Sequence, residues 1–153
     1  MLKAITTLLV LFIPYHTLHA KTLANCSSPS GYAFYPHIGL ATKKDSGWAE
    51  DKISGMRTTV TYKDGELDVL YIDVTDTLTS SADSGAKILP VIASENYFTV
   101  LSIWFGSTTE LYTFWKNKDN QYKFSLTQVK GGVIPKSSVL VGDCSFIDFT
   151  LIE

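Results

Sequence analysis

Residues 96–130 read NYFTVLSIWFGSTTELYTFWKNKDNQYKFSLTQVK, and this stretch decides the fold. Three runs rich in aromatic and β-branched residues (NYFTVLSIWF, TTELYTFW and YKFSLTQVK) are parted by Gly106-Ser107 and by the polar segment KNKDNQ. Runs of that composition between short turn-forming segments are the pattern of a three-stranded antiparallel meander. A period of two sorts each run into two faces. Tyr97, Thr99, Leu101, Ile103 and Phe105 point one way, with Phe98, Val100, Ser102 and Trp104 opposite. Both sets are largely apolar, so this strand is expected to be covered on both faces. In the second run Leu111, Thr113 and Trp115 oppose Glu110, Tyr112 and Phe114; in the third, Tyr122, Phe124 and Leu126 oppose Lys123, Ser125 and Thr127. Most of these aromatics are core residues on this reading. A sharper reading sets Trp104, Tyr112, Phe114 and Trp115 along a pocket or a partner surface.

Outward from the meander, the clearest feature is a hairpin. Two alternating segments, 56–62 and 66–74, flank Lys63-Asp64-Gly65, whose Asp-Gly is a tight-turn signal. Residues 75–85 (TDTLTSSADSG) read as a polar loop, and 87–93 as a short strand that Pro90 assigns to a sheet edge or a bulge. Residues 27–31 (SSPSG) read as a loop, 32–35 as a short edge strand, 137–141 and 144–152 as two last strands. Residues 39–55 have no period and carry Trp48 in their middle, either as part of a functional loop or as a plug against the core. No amphipathic helix, internal repeat or low-complexity segment interrupts the pattern. The expectation is an all-β, single-domain antiparallel β-barrel or β-sandwich of about seven to nine strands.

The first twenty residues read as a cleaved secretory signal peptide. Lys3 supplies the positive start, residues 4–13 an apolar run too short to span a bilayer, and Leu18-His19-Ala20 a small-residue cleavage site. Residues 21–153 then form the all-β domain, destined for the periplasm or for full secretion. That chain carries twelve Lys and Arg against fifteen Asp and Glu, a net charge of −3, which offers no footprint for nucleic acid or an anionic membrane. No later apolar run reaches membrane-spanning length, so stable membrane insertion is not expected. In an oxidising compartment Cys26 and Cys144 read as one disulfide linking the two ends of the domain. Leu23-Ala24-Asn25-Cys26 looks superficially like a lipidation box, but Lys21 and a polar spacer separate it from the apolar run, and Asn fits poorly before the cysteine.

Catalytic chemistry finds little support. Past the leader, His37 is the one histidine, so a Ser-His-Asp or Cys-His relay would rest on it alone, and a multi-histidine zinc site is excluded by count. Ser84-Gly85-Ala86-Lys87, Ser94-Glu95-Asn96 and Lys130-Gly131-Gly132 follow the motif order of penicillin-binding serine enzymes, which they resemble in letters only. There the serine opens a helix; here KILPVIA reads as a strand. The carboxylates gather loosely in polar loops, and neither Asp73/Asp76 nor Asn117/Asp119/Asn120 has the spacing of a calcium loop. No metal and no cofactor is expected.

Two functions remain. The first is a non-enzymatic module that binds another protein of the cell envelope or medium, as an inhibitor or immunity protein does. Its surface would draw on Trp48, Ser84, Gly85, Trp104, Tyr112 and Trp115. Ser84-Gly85-Ala86, in a polar loop before a strand, faintly resembles the Ser-Gly loop of periplasmic lysozyme inhibitors, which are small disulfide-linked β-barrels. The likeness covers a few residues and departs where that family has a tyrosine shortly after, since Ile88 stands here. It implies a loop reaching into a lysozyme cleft. The second function is a barrel carrier for a small apolar or lipid ligand, which requires an internal cavity.

Overall fold

A computed structural model describes residues 20–72 and 76–150. The expected leader therefore lies outside the described residues, apart from Ala20, as does Asp73 of the loose carboxylate pair. Ten strands form among the described residues: β1 (Lys21–Tyr35), β2 (Gly47–Lys52), β3 (Arg57–Lys63), β4 (Glu66–Ile72), β5 (Leu78–Ser80), β6 (Lys87–Ser94), β7 (Tyr97–Trp104), β8 (Thr108–Lys116), β9 (Tyr122–Lys130) and β10 (Lys136–Ile147). All belong to one antiparallel sheet of order β5-β4-β3-β1-β10-β9-β8-β7-β6, with β2 beside β1. The sheet curls until β4 comes back against β6, with no ladder between those two strands. The result is a half-barrel rather than a two-sheet sandwich.

The meander forms with the expected faces. Phe98 pairs with Phe114 and Phe114 with Phe124 across β7, β8 and β9, and their rings stack at 4.6 and 6.0 Å. Successive cross-strand rows build the interior in layers. The lowest is Phe98–Phe114–Phe124–Gly142, with Phe149 edge-on to Phe98. Above it lies Val100–Tyr112–Leu126–Leu140, and above that Ser102–Glu110–Gln128–Ser138. Leu23, Val60 and Val69 close the core from the facing wall. Contrary to expectation, β7 is not sealed on both sides. Its inner residues Phe98, Val100 and Ser102 are buried; on the convex side Thr99 is buried as well, but Tyr97, Leu101 and Ile103 are only half-buried, and Phe105 beyond the strand is exposed.

Other parts of the chain differ from the sequence reading. Residues 21–35 are one long central strand, not a loop followed by a short edge. A bulge between Ser27 and Ser30, with Ser28 at φ 48°, bends β1 so that 21–27 pair with β3 and 30–35 with β2. Pro29 sits in the bulge, where its missing N–H interrupts no ladder bond, and its carbonyl accepts from the Ile53 N–H. Part of the irregular stretch 39–55 is strand β2, the polar loop contains the three-residue β5, and the two expected C-terminal strands are one, β10. The Asp64-Gly65 hairpin forms as read, both residues at positive φ (54° and 90°), which is the tight turn that matches strand twist. Pro90 lies on an edge strand beside a register shift, also as read.

Cys26 and Cys144 are disulfide-bonded, with Cα atoms 3.9 Å apart. They are directly opposed in the β1–β10 pair, so the bond joins the first and last strands.

Candidate functional site

The expected surface residues fall in four places. Trp48 stands on the outer face of β2 and is 71% exposed. Its ring meets Phe34 of β1 edge-on at 5.5 Å, the two residues being cross-strand partners. Tyr32 of β1, Val139 and Val141 of β10 and Val129 of β9 are exposed on the same convex face. Ladder pairing makes them neighbours: Tyr32 opposes Val139, and Ser137 lies between Phe34 and Val129. Glu50, Lys52, Ser125 and Thr127 stand around them, opposite Tyr32, Ser30, Val141 and Val139 in turn. An apolar, aromatic centre inside a polar rim has the anatomy of a protein-contact surface. The concave side of β9 and β10 carries buried residues (Phe124, Leu126, Ser138, Leu140), as does β1 at Ala33, while β2 is exposed or half-buried on both faces, so burial in the fold does not explain the patch.

Ser84 and Gly85 lie elsewhere, in the tight turn 81–86 at the upper rim. Ser84 N–H donates to the Ser80 carbonyl and Gly85 N–H to that of Ala82. The Ser84 hydroxyl donates to the Ser81 carbonyl at 2.8 Å and accepts from Trp104 Nε1 at 3.1 Å. The structure thus brings Ser84 and Trp104 together, with the serine exposed at the rim and its hydroxyl already bonded within the fold. Trp115 is half-buried on the convex side between Tyr97 and Lys123, at the opposite end of the meander. Tyr112 is a core residue, 1% exposed.

The Tyr112 hydroxyl leads to a feature the sequence reading missed. It donates a short hydrogen bond to Glu110 Oε2, while Gln128 Nε2 donates to Glu110 Oε1 at 2.6 Å. Burial, and next the negative charge of Glu110, push the Tyr112 phenol well above its ordinary value of 10.0, so it stays a neutral donor. This half-buried carboxylate floors a pocket of about 390 Å³ at the upper mouth, lined also by Met56, Tyr71, Trp104 and Lys130. The readable signal was parity: Glu110 alternates in step with core residues Tyr112 and Phe114.

A second opening, about 680 Å³, follows the seam where β4 and β6 fail to pair. Leu23, Leu67, Ile88, Pro90 and Ile92 line it. Among the described residues no cluster of three or more metal-ligating side chains occurs, and no helix is long and apolar enough to cross a membrane. Asn117, weighed above as a cation ligand, instead organises its own turn, its Oδ1 accepting from the N–H groups of Asp119 and Gln121. Compared with protein-family models, with curated proteins and with solved structures, the chain matches none.

Proposed function

We propose that this chain is a small exported module that binds another protein of the cell envelope or medium, without catalysis, through the convex face of β1, β2, β10 and β9. One observation carries the reading: Trp48, exposed and seated against Phe34 within a rimmed apolar patch on a sheet whose other face already owns a filled core. Large aromatics of this kind supply most of the energy of protein contacts. A leader peptide and the Cys26–Cys144 bond suit an oxidising, extracytoplasmic compartment. The Ser-Gly turn is exposed, but its Ser84 hydroxyl is already bonded to Ser81 and Trp104, so it has less to offer an enzyme cleft than the lysozyme-inhibitor likeness implies.

The test places a photo-crosslinking residue at position 48 of the oxidised mature domain and at exposed Leu78 on β5 as control. Exposed to envelope extract and culture medium, a discrete protein adduct from position 48 and none from 78 supports the proposal. Equal or absent adducts count against it.

The seam cleft favours a second reading, a carrier of a small apolar ligand, because an open groove lined by aliphatic side chains admits a chain-like molecule. Native mass spectrometry of the purified protein would show the ligand's added mass, and Ile88→Glu would remove it.

A further inference from the structure

The upper mouth holds a carboxylate that no ion pair among the described residues neutralises. Glu110 receives hydrogen bonds from two neutral donors, Tyr112 and Gln128. The ion pairs among the described residues are Lys21–Asp148, Lys123–Asp143 and Lys136–Asp51, so Glu110 takes part in none. Lys130 reaches the pocket's rim but is exposed and not bonded to it. A half-buried carboxylate without a counter-ion is costly, and its two oxygens still have lone pairs to offer. Two buried hydroxyls flank the pair in the same cross-strand row: Ser102 opposite Glu110 and Ser138 opposite Gln128. Neither has a hydrogen-bond partner among the described residues, and Thr58 Oγ1, on the facing wall, has none among them either. These three hydroxyls are buried and do not line the pocket itself, whose walls include aromatic rings. Trp104 is held in place by its bond to Ser84, and Tyr71 faces it from β4 across the pocket.

We propose that this mouth is a binding site for a single cationic group, an alkylammonium or a guanidinium. The cation would take a charge-assisted hydrogen bond from its N–H to Glu110 and lie against the Trp104 ring. Tyr112 and Gln128 are positioning residues: they hold the carboxylate and leave its outward lone pairs free. An anion would meet Glu110 head on, and a neutral apolar ligand would leave the charge buried and unpaired. The volume, about 390 Å³, admits a side-chain-sized group with room to spare, so the charge and not the size selects the ligand. Such a cation is either a free small amine or a Lys or Arg side chain of a protein. The site does not depend on the convex patch, so each can fail alone.

The test titrates the oxidised mature protein with n-butylammonium, with butan-1-ol and butyrate as neutral and anionic controls, and with a Gly-Gly-Lys-Gly-Gly amide peptide. The readouts are the NMR shifts of the Trp104 indole N–H and the Gln128 side-chain amide. Saturable shifts with the cations, absent with butanol and butyrate and weakened at least tenfold by Glu110→Gln, are expected. Should Glu110→Gln not fold, Trp104→Leu keeps the carboxylate, removes the ring and is expected to weaken binding several-fold. Tighter binding of the peptide assigns the source to a protein side chain, and tighter binding of butylammonium to a small amine. Equal response to all probes, or none, overturns the proposal. So does cation binding that appears only in Lys130→Met, since the chain's own lysine would then be the occupant.

Discussion

Cys26 and Cys144 are cross-strand neighbours in β1 and β10, with their Cα atoms 3.9 Å apart although they stand 118 positions apart in the chain. The disulfide therefore fastens a strand pair that tertiary structure has already formed, and its main effect falls on the unfolded chain. In the chain-entropy model a loop of this size is worth about 5 kcal/mol, less any native strain. Urea unfolding of the Cys26→Ala/Cys144→Ala double variant is expected to show a loss of about 3–5 kcal/mol at an unchanged far-ultraviolet spectrum. A loss under about 1 kcal/mol would mean that β1 and β10 stay together in the unfolded ensemble.

Gly142 is the open end of the aromatic row. A Cβ there would come within 2.5 Å of the Phe124 ring and 2.7 Å of the Ser27 carbonyl oxygen. The ring can lie over β10 because no side chain stands beneath it. Gly142→Ala is expected to cost about 1–3 kcal/mol through overpacking, read as a lower urea midpoint with an unchanged slope. Phe124→Leu in the same background should recover part of that loss.

Two groups set the pH limits. Asp148 accepts hydrogen bonds from the Thr150 hydroxyl and N–H and pairs with Lys21, and these hold its carboxyl down at about 2 instead of 3.8. A depressed carboxyl stabilises the fold above its unfolded value and ceases to as pH falls from 3.8 towards 2. Asp148→Asn should flatten that part of the acid-unfolding curve. The effect is small, since Lys21 is well exposed.

Tyr112 acts at the other end of the scale. Its raised phenol keeps the proton that an unfolded tyrosine loses near 10.0, so stability is present below that value and falls as pH rises through it. Tyr112→Phe is expected to remove this alkaline loss. It also costs about 1.5–3 kcal/mol near neutrality for the charge-assisted hydrogen bond to Glu110. Equal alkaline unfolding of both proteins would contradict the assignment.

Where the chain's signals are local, the sequence is transparent. The runs of β7, β8 and β9 alternate cleanly and their turns are short, so the faces of Phe98, Phe114 and Phe124 follow from parity. The Asp64-Gly65 turn needs positive φ at both residues and its sequence supplies it. β1 is opaque because its interruption, Ser27 to Ser30, has loop composition while its partners lie in β3, β2 and the distant β10. β2 is opaque for another reason. Its six residues are exposed or half-buried on both faces, so no apolar period marks them. That exposure is what gives Trp48 its interest. The mouth was hidden by habit of reading: a glutamate in a strand suggests solvent, yet Glu110 keeps step with Tyr112 and Phe114. Its partner Gln128 comes from the next strand.

On the proposed reading the convex patch around Trp48 contacts another protein. The most direct measurement compares capture by the oxidised wild-type domain, Trp48→Ala and Leu78→Ala from the same envelope extract and medium, each variant first shown to unfold at the wild-type urea midpoint. A specific protein held by wild type and Leu78→Ala, with at least tenfold weaker affinity for Trp48→Ala, is the predicted result. A partner held equally by all three, or lost with Leu78→Ala alone, would contradict it.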